Sequence, residues 1–271
     1  MDARALLLRA ARLACGVAAL TALVQAGNAV AAATCSATSG RDTLPLVELF
    51  TSEGCDSCPP ADRWLSATFP VAPAVPVATV LAFHVDYWDR LGWKDRFAAT
   101  AYTDRQYAAM RASGATFVYT PQVLVQGRDA EFGRRNRASE LLAQARSRPA
   151  RATIALEARE GDDGLTAARA RVTVADAALR RNAVVWLAYT ESGLATDVKA
   201  GENRGVRLVH DHVVRALSGP HAVDGNGATD ATISRPARAE RGRGAALVAV
   251  VQDAKSGDVL QTLTLPSCGG D

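Results

Sequence analysis

The chain has 271 residues, enough for one large domain or two smaller ones, and its 48% apolar, 22% charged composition excludes a disordered chain. The formal charge is only +3, and the basic residues are almost all arginine, with Lys94, Lys199 and Lys255 the only lysines. In that background a cluster such as Arg134-Arg135-Asn136-Arg137 reads as a solvated face, and no nucleic-acid partner is expected.

Residues 1–33 have the layout of an export signal. Arg4, Arg9 and Arg12 give a positive start, residues 13–24 an apolar stretch, and the small residues 29–33 a cleavage site. The apolar stretch is shorter than the roughly 20 residues a membrane span needs, so no stable membrane insertion is expected after signal removal. A cut after Ala33 removes Arg4, Arg9, Arg12 and Asp2, which lowers the formal charge by two, from +3 to +1. The expected location is periplasmic or secreted, where disulfides form. Cys15 leaves with the signal, and four cysteines remain. Of the three ways to pair them, the spacing suggests Cys55 with Cys58 and Cys35 with Cys268.

Residues 44–50 form a short apolar run ending just before Gly54 and the Cys55-Asp56-Ser57-Cys58 motif, as a buried parallel strand does. Residues 59–68 read as a helix with Trp64 and Leu65 inward, and 77–85 as a second strand. Helical spacing over 94–112 ends at Gly114. Two extended runs over 116–126 are broken by Thr120-Pro121, and Gly127-Arg128-Asp129 is expected to turn into a strand over 130–132. A last helix is expected over 136–146, with Asn136 as N-cap and Leu141 and Leu142 inward. This order of strand, helix, strand, helix, strand, strand, helix matches the thioredoxin core.

Beyond about Pro149 the texture changes to alternating runs at 153–158, 165–174, 183–190, 206–217, 245–252 and 259–265. Period-2 runs at this spacing predict a smaller all-β, sandwich-like domain. The expected organisation is therefore a signal over 1–33, an α/β thioredoxin-like domain over 34–148 and a β-rich domain over 149–271.

A thiolate is the form of cysteine that attacks a disulfide, so a redox pair needs one activated cysteine and a second to resolve the mixed disulfide. Cys55, near a helix N-terminus whose free N–H groups favour an anion, is expected to be the exposed nucleophile, and Cys58 the deeper resolving thiol. Glu53 and Asp56 oppose that activation. Pro59-Pro60 predicts a tight turn around Asp56 and a regular helix only beyond Pro60. Pro121 precedes a strand where thioredoxin-like proteins carry a cis proline against the active cysteine. Thr120 beside it is the expected substrate contact.

Glu48, in the strand entering the motif, is a candidate to shuttle the resolving thiol's proton, against a structural pairing. His84 and Asp86 leave the second strand on the edge that carries the cysteines and are candidate substrate contacts, against capping or packing roles.

The segment Val47-Glu48-Leu49-Phe50-Thr51-Ser52-Glu53-Gly54-Cys55-Asp56-Ser57-Cys58-Pro59-Pro60-Ala61-Asp62 resembles the secreted bacterial family called domain of unknown function 1223. So do the stretch His84-Val85-Asp86-Tyr87-Trp88-Asp89-Arg90-Leu91-Gly92-Trp93-Lys94 and the shorter Tyr119-Thr120-Pro121-Gln122. A fourth block is Ala200-Gly201-Glu202-Asn203-Arg204-Gly205, followed by His210 and His212-Val213-Val214-Arg215. The resemblance implies a thioredoxin-like domain plus a β-rich domain outside the cytoplasm, without an assigned activity. Glu202, Asn203 and Arg204 read most simply as a polar turn, with a ligand or domain contact as the alternative.

The expected function is thiol–disulfide exchange with a protein or small thiol substrate, needing no cofactor and no resident metal. A copper-handling protein using Cys55, Cys58 and His84 is the main rival, and a non-catalytic binding module the third reading. Zinc of the four-cysteine type is disfavoured, because no second close cysteine pair exists.

Overall fold

The computed structural model describes residues 33–71, 75–134, 136–161, 164–234 and 243–268, with side chains of 33, 160–166 and 243 left aside. All of the expected export signal except Ala33 lies outside the described residues.

Strands β1 (Ala33–Thr38) and β2 (Leu46–Thr51) open the chain, and helix α1 (Pro59–Thr68) follows β2. Strand β3 (Thr79–His84), a 3-10 turn over Asp86–Leu91 and helix α2 (Thr100–Ser113) come next. Strands β4 (Gln122–Val125) and β5 (Arg128–Asp129) and helix α3 (Arg137–Arg146) complete the first half. Strand β2 pairs in parallel with β3 and antiparallel with β4.

Every residue of β2 is buried, because the strand is covered on both faces. Its pleat sends Val47 and Leu49 to Ala61 and Leu65 of α1 and Leu141 of α3. Leu46 and Phe50 go to the opposite face, with Leu81, Phe83 and Tyr102 of α2.

Several local readings shift. The helix expected over 94–112 begins only at Thr100, because Asp95 turns inward and its carboxylate accepts the Phe97 N–H at 2.9 Å. Gly114 does end it, with φ +74°. The hairpin turn falls at Gln126-Gly127, both left-handed, one position earlier than expected. Asn136 stands at the N-cap of α3, yet its own backbone is left-handed and its side chain makes no capping bond.

In the second half, β6 (Thr153–Gly161), β7 (Gly164–Thr173), α4 (Ala177–Arg180), β8 (Ala183–Ser192) and β9 (Leu194–Asp197) follow in order. Then come β10 (Arg207–His210), β11 (Val213–Ala222), β12 (Ala228–Ser234), β13 (Arg243–Asp253) and β14 (Val259–Pro266). The run expected over 206–217 is two strands, because the chain bends at His212, whose φ is +56°. Strands β9 and β10 pair antiparallel as a hairpin.

The texture change near 149 is not a break in the fold. The large sheet has the order β14-β13-β8-β11-β3-β2-β4-β5, so strands from both halves belong to it. The seam is a parallel bridge of β11 to β3, Val213 against Ala82, with the Ala82 N–H donating to the His212 carbonyl at 2.8 Å. The described residues accordingly group as one unit rather than as separate units over 34–148 and 149–271.

A second sheet, of order β1-β6-β7-β12, covers one face of the large one. Ile154, Leu156, Ala170 and Val172 pack there against Val185, Leu187, Leu247 and Val251. Strand β1 pairs with β6 in this layer, so the start of the expected first domain lies in the second half's sheet. A Cys35–Cys268 disulfide ties it to the residues just after β14.

Because β1 is an edge strand held at one flank only, that link restrains it strongly. Replacing Cys35 and Cys268 together by serine is expected to lower the unfolding free energy by about 2–4 kcal/mol. Denaturant unfolding followed by circular dichroism measures the loss, and an unchanged midpoint would show that β1 holds its place without the link.

Candidate functional site

Strands β2 and β3 end side by side, with Thr51 paired to His84, and the Cys55-x-x-Cys58 segment begins at that edge. Cys55 and Cys58 form a disulfide with a Cα–Cα distance of 5.4 Å. The Cys58 N–H donates to the Cys55 carbonyl at 3.2 Å, closing a tight turn. Cys58 is the N-cap of α1, and Pro59 and Pro60 occupy its first two positions, where no intrahelical N–H bond is needed. The helix therefore starts at Pro59, not beyond Pro60.

Neither cysteine is exposed; each has 0% of its surface accessible. The expectation of an exposed Cys55 fails because the long loop of the β9–β10 hairpin closes on the motif. Asn203 Nδ2 donates to the Glu53 carbonyl at 2.9 Å and the Cys55 carbonyl at 2.8 Å. Glu202 Oε2 accepts the Asp56 N–H at 3.1 Å. Trp88 lies against Gly54, where a Cβ would stand 3.3 Å from the Trp88 Cβ. The same indole donates to Thr120 Oγ1 at 2.7 Å.

The Thr120–Pro121 bond is cis, and the next residue, Gln122, pairs with Phe50 at the end of β2. Pro121 thus stands at the edge that carries the cysteines, and Trp88 links its neighbour Thr120 to the motif.

Glu48 does not serve the cysteines. The pleat puts it on the α2 face of β2, opposite α1, where Oε1 accepts from Arg105 Nε at 2.6 Å. That guanidinium also lies over the rings of Phe83 and Trp186. Glu48 and Arg105 are a buried pair holding α2 to the sheet.

Asp86 is likewise not placed as a substrate contact. Its carboxylate accepts from the Thr100 and Thr103 hydroxyls, each at 2.6 Å, which ties the 3-10 turn to the first turn of α2. Those two hydrogen bonds hold its pKa below the usual carboxylate range.

His84 is buried, and its Nδ1 meets Asp95 Oδ2 at 2.6 Å. Asp95 also accepts the Glu53 N–H at 2.8 Å, so the pair steadies the approach to the motif. Burial pushes the Asp95 carboxyl up, but the charge of and hydrogen bond from His84 outweigh it and hold the carboxyl low. The rival copper set of Cys55, Cys58 and His84 is not arranged as ligands with the disulfide closed: the cysteines are bonded to each other and His84 Nδ1 faces Asp95. Among the described residues no three His, Cys, Asp or Glu side chains are arranged to hold a metal ion.

Sequence reasoning missed a buried ionic cluster. His210 of β10 packs edge-on to His84 with ring centroids 4.8 Å apart. Its Nε2 is 3.5 Å from Glu53 Oε1, and its Nδ1 is 3.6 Å from Asp62 Oδ1. Glu53 accepts from Trp93 Nε1 at 2.8 Å, and Asp62 from the Thr51 hydroxyl at 3.0 Å. Two carboxylates flanking the disulfide thus share one imidazole from the far half of the chain. The signal was in the sequence: Glu53 and Asp62 belong to the same block as the cysteines, and His210 follows the fourth block.

Burial alone lowers the His210 pKa, but Asp62 and Glu53 outweigh it and raise it from 6.5 to about 10. A folded-state pKa above the unfolded value gives stability that is full below pH 6.5 and is lost as pH rises through about 10. His210→Gln is expected to destabilise the protein at pH 7 by about 3–5 kcal/mol, because it leaves Glu53 and Asp62 buried without a counter-charge. It is also expected to flatten the fall in stability between pH 7 and 10. Urea unfolding of parent and variant across that range checks both, and an equal pH slope in the two would show that His210 does not carry the charge.

No curated protein matches this chain. A crystal structure of protein AGR_C_4864 from Agrobacterium tumefaciens is 26% identical, with a TM-score of 0.56, covering 84% of this chain and 96% of that one. The structure of HBP35 of Porphyromonas gingivalis aligns with a TM-score of 0.60 at 14% identity, covering 84% of this chain and 76% of that one, a likeness of fold alone. The family model described as "Protein of unknown function (DUF1223)" matches residues 46–252, which include the cysteine pair, the cis proline, the β9–β10 loop and His210, and the chain belongs to that family.

Proposed function

We propose that this chain is an exported thiol–disulfide oxidoreductase, periplasmic or secreted, whose first half is a thioredoxin-like redox unit and whose β-rich second half closes over it. The observation that carries the reading is the Cys55–Cys58 disulfide between a strand end and a helix start, with Pro121 entering β4 on the same edge. Two disulfides suit an oxidising compartment, and among the described residues no helix is long and apolar enough to cross a membrane.

In this reading a partner thiolate attacks Cys55 Sγ, the Cys55–Cys58 bond breaks, and Cys58 leaves as a thiolate that takes up a proton. A second thiol of the partner then attacks its own sulfur in the mixed disulfide and releases Cys55. The partner is oxidised by two electrons and the protein reduced by two. The reverse sequence, from the reduced pair, reduces a disulfide partner.

The surroundings bear on direction. The N-terminus of α1 stabilises a thiolate, but Glu53, two residues before Cys55, and Asp62, four after Cys58, add negative charge to the motif's own segment, with His210 shared between them. A reduced state without strong thiolate stabilisation makes a poor oxidant, so the pair is assigned the reducing side. Complete burial of both cysteines favours one other reading, a structural staple.

An equilibrium titration of Cys55–Cys58 against dithiothreitol, read by alkylation and mass spectrometry, separates the two. The redox reading expects a reversible two-electron midpoint nearer about −270 mV than about −120 mV. A pair that stays oxidised below about −300 mV would be behaving as a structural disulfide and would overturn it.

A further inference from the structure

The 198–206 segment between β9 and β10 is the part of the site that the redox chemistry does not explain. From 201 to 205 every residue is exposed except Asn203, which is 6% exposed although an asparagine at a loop tip is normally solvated. Its amide is spent on two main-chain carbonyls of the motif, those of Glu53 and Cys55. Glu202 beside it holds the Asp56 N–H. The loop is shaped to lie there. Gly201 has φ +73°, and a Cβ on it would approach the Trp93 Cβ to 3.0 Å, so only glycine lets the chain run this close to the tryptophan.

We infer that Asn203 and Glu202 are access-determining residues of the cysteine site, holding the 198–206 loop over Cys55 so that the disulfide reacts only with a partner able to displace it. The inference rests on the redox reading and adds a partner class to it. Asn203 donates to the carbonyls of residues 53 and 55, which a polypeptide's own N–H groups would pair with on approach. The partner that fits is therefore an extended dithiol polypeptide that serves as reductant of the oxidised pair and replaces the lost hydrogen bonds as it displaces the loop, whereas a small thiol cannot. The exchange is the one written above, with attack on Cys55 Sγ preceded by loop opening. The observed rate then scales with the open fraction.

The test is the rate of reduction by dithiothreitol, quenched by alkylation and read separately for each disulfide by peptide mapping. Cys35–Cys268 serves as an internal control. Asn203→Asp keeps the volume but turns oxygen toward two carbonyls, and Asn203→Ala simply removes the donors. Both are expected to speed reduction of Cys55–Cys58 about tenfold, the effect of losing two ordinary hydrogen bonds, and to leave Cys35–Cys268 unchanged.

Glu202→Ala changes only an exposed side chain and is expected to give about a threefold gain. It decides the matter should the Asn203 variants unfold. Reduction of Cys55–Cys58 at the parent rate in every folded variant would overturn the access role alone. A pair that stays oxidised in the parent and all variants, under conditions that reduce Cys35–Cys268, would overturn the redox reading with it.

Discussion

Strand β11 lies beside β3 in parallel, joined where Val213 faces Ala82, and the placement of the site follows from that seam. Adding β11 to the outer flank of β3 fixes where the chain just before it must be. His210 is three residues upstream, and the left-handed bend at His212 carries the β9–β10 hairpin over the ends of β2 and β3. The cysteine segment starts at those same strand ends. A different partner for β11 would leave the motif on its strand and helix but remove Asn203, Glu202 and His210 from it.

The seam also brings charge into the interior. Glu53, Asp62, Asp95, His84 and His210 are all under 9% exposed, and such burial is costly unless each charge is met. Asp95 is met by His84 and two backbone N–H groups, while Glu53 and Asp62 share His210 and take one further donor each. The two halves are therefore interdependent. All three acids belong to the first half, and one of the two imidazoles, His210, belongs to the second. Losing the hairpin would strand two carboxylates beside the disulfide.

How much of this the sequence disclosed depended on the range of the interactions. The strand, cysteine pair and helix were legible because each rests on neighbours in sequence: an apolar run, prolines at a helix start, a glycine stop. Glu48 misled for the opposite reason. Period 2 puts it with Leu46 and Phe50, but which helix covers that face depends on Arg105, 57 positions away. Asp86 looked free at a strand end because its partners, Thr100 and Thr103, are brought back by the turn at 86–91. The split into two domains followed a real change of texture, yet a parallel seam resting on one paired register leaves no pattern to read. Asn203 looked like an ordinary turn residue because the carbonyls it serves lie 148 and 150 positions upstream.

The two disulfides differ in what a cross-link contributes. Cys35–Cys268 spans 233 positions, and in the loop-entropy model such a closure stabilises by about 5 kcal/mol, an upper figure. Cys55–Cys58 spans three, for which the same model gives about 2 kcal/mol, and its surroundings hold that segment already. Asn203 bonds two of its carbonyls, Asp95 accepts the Glu53 N–H, Trp93 donates to the Glu53 carboxylate, and Cys58 begins a helix whose Asp62 is tied to Thr51. A segment so restrained gains little from a further staple. Burial of the pair, the one observation that favours the staple reading, is itself conditional, since the loop that buries it is fastened by three hydrogen bonds, two from a single amide and one to an exposed carboxylate. Those are bonds a competing main chain can replace, and a disulfide closed over by such a loop is shielded until a partner of that kind arrives.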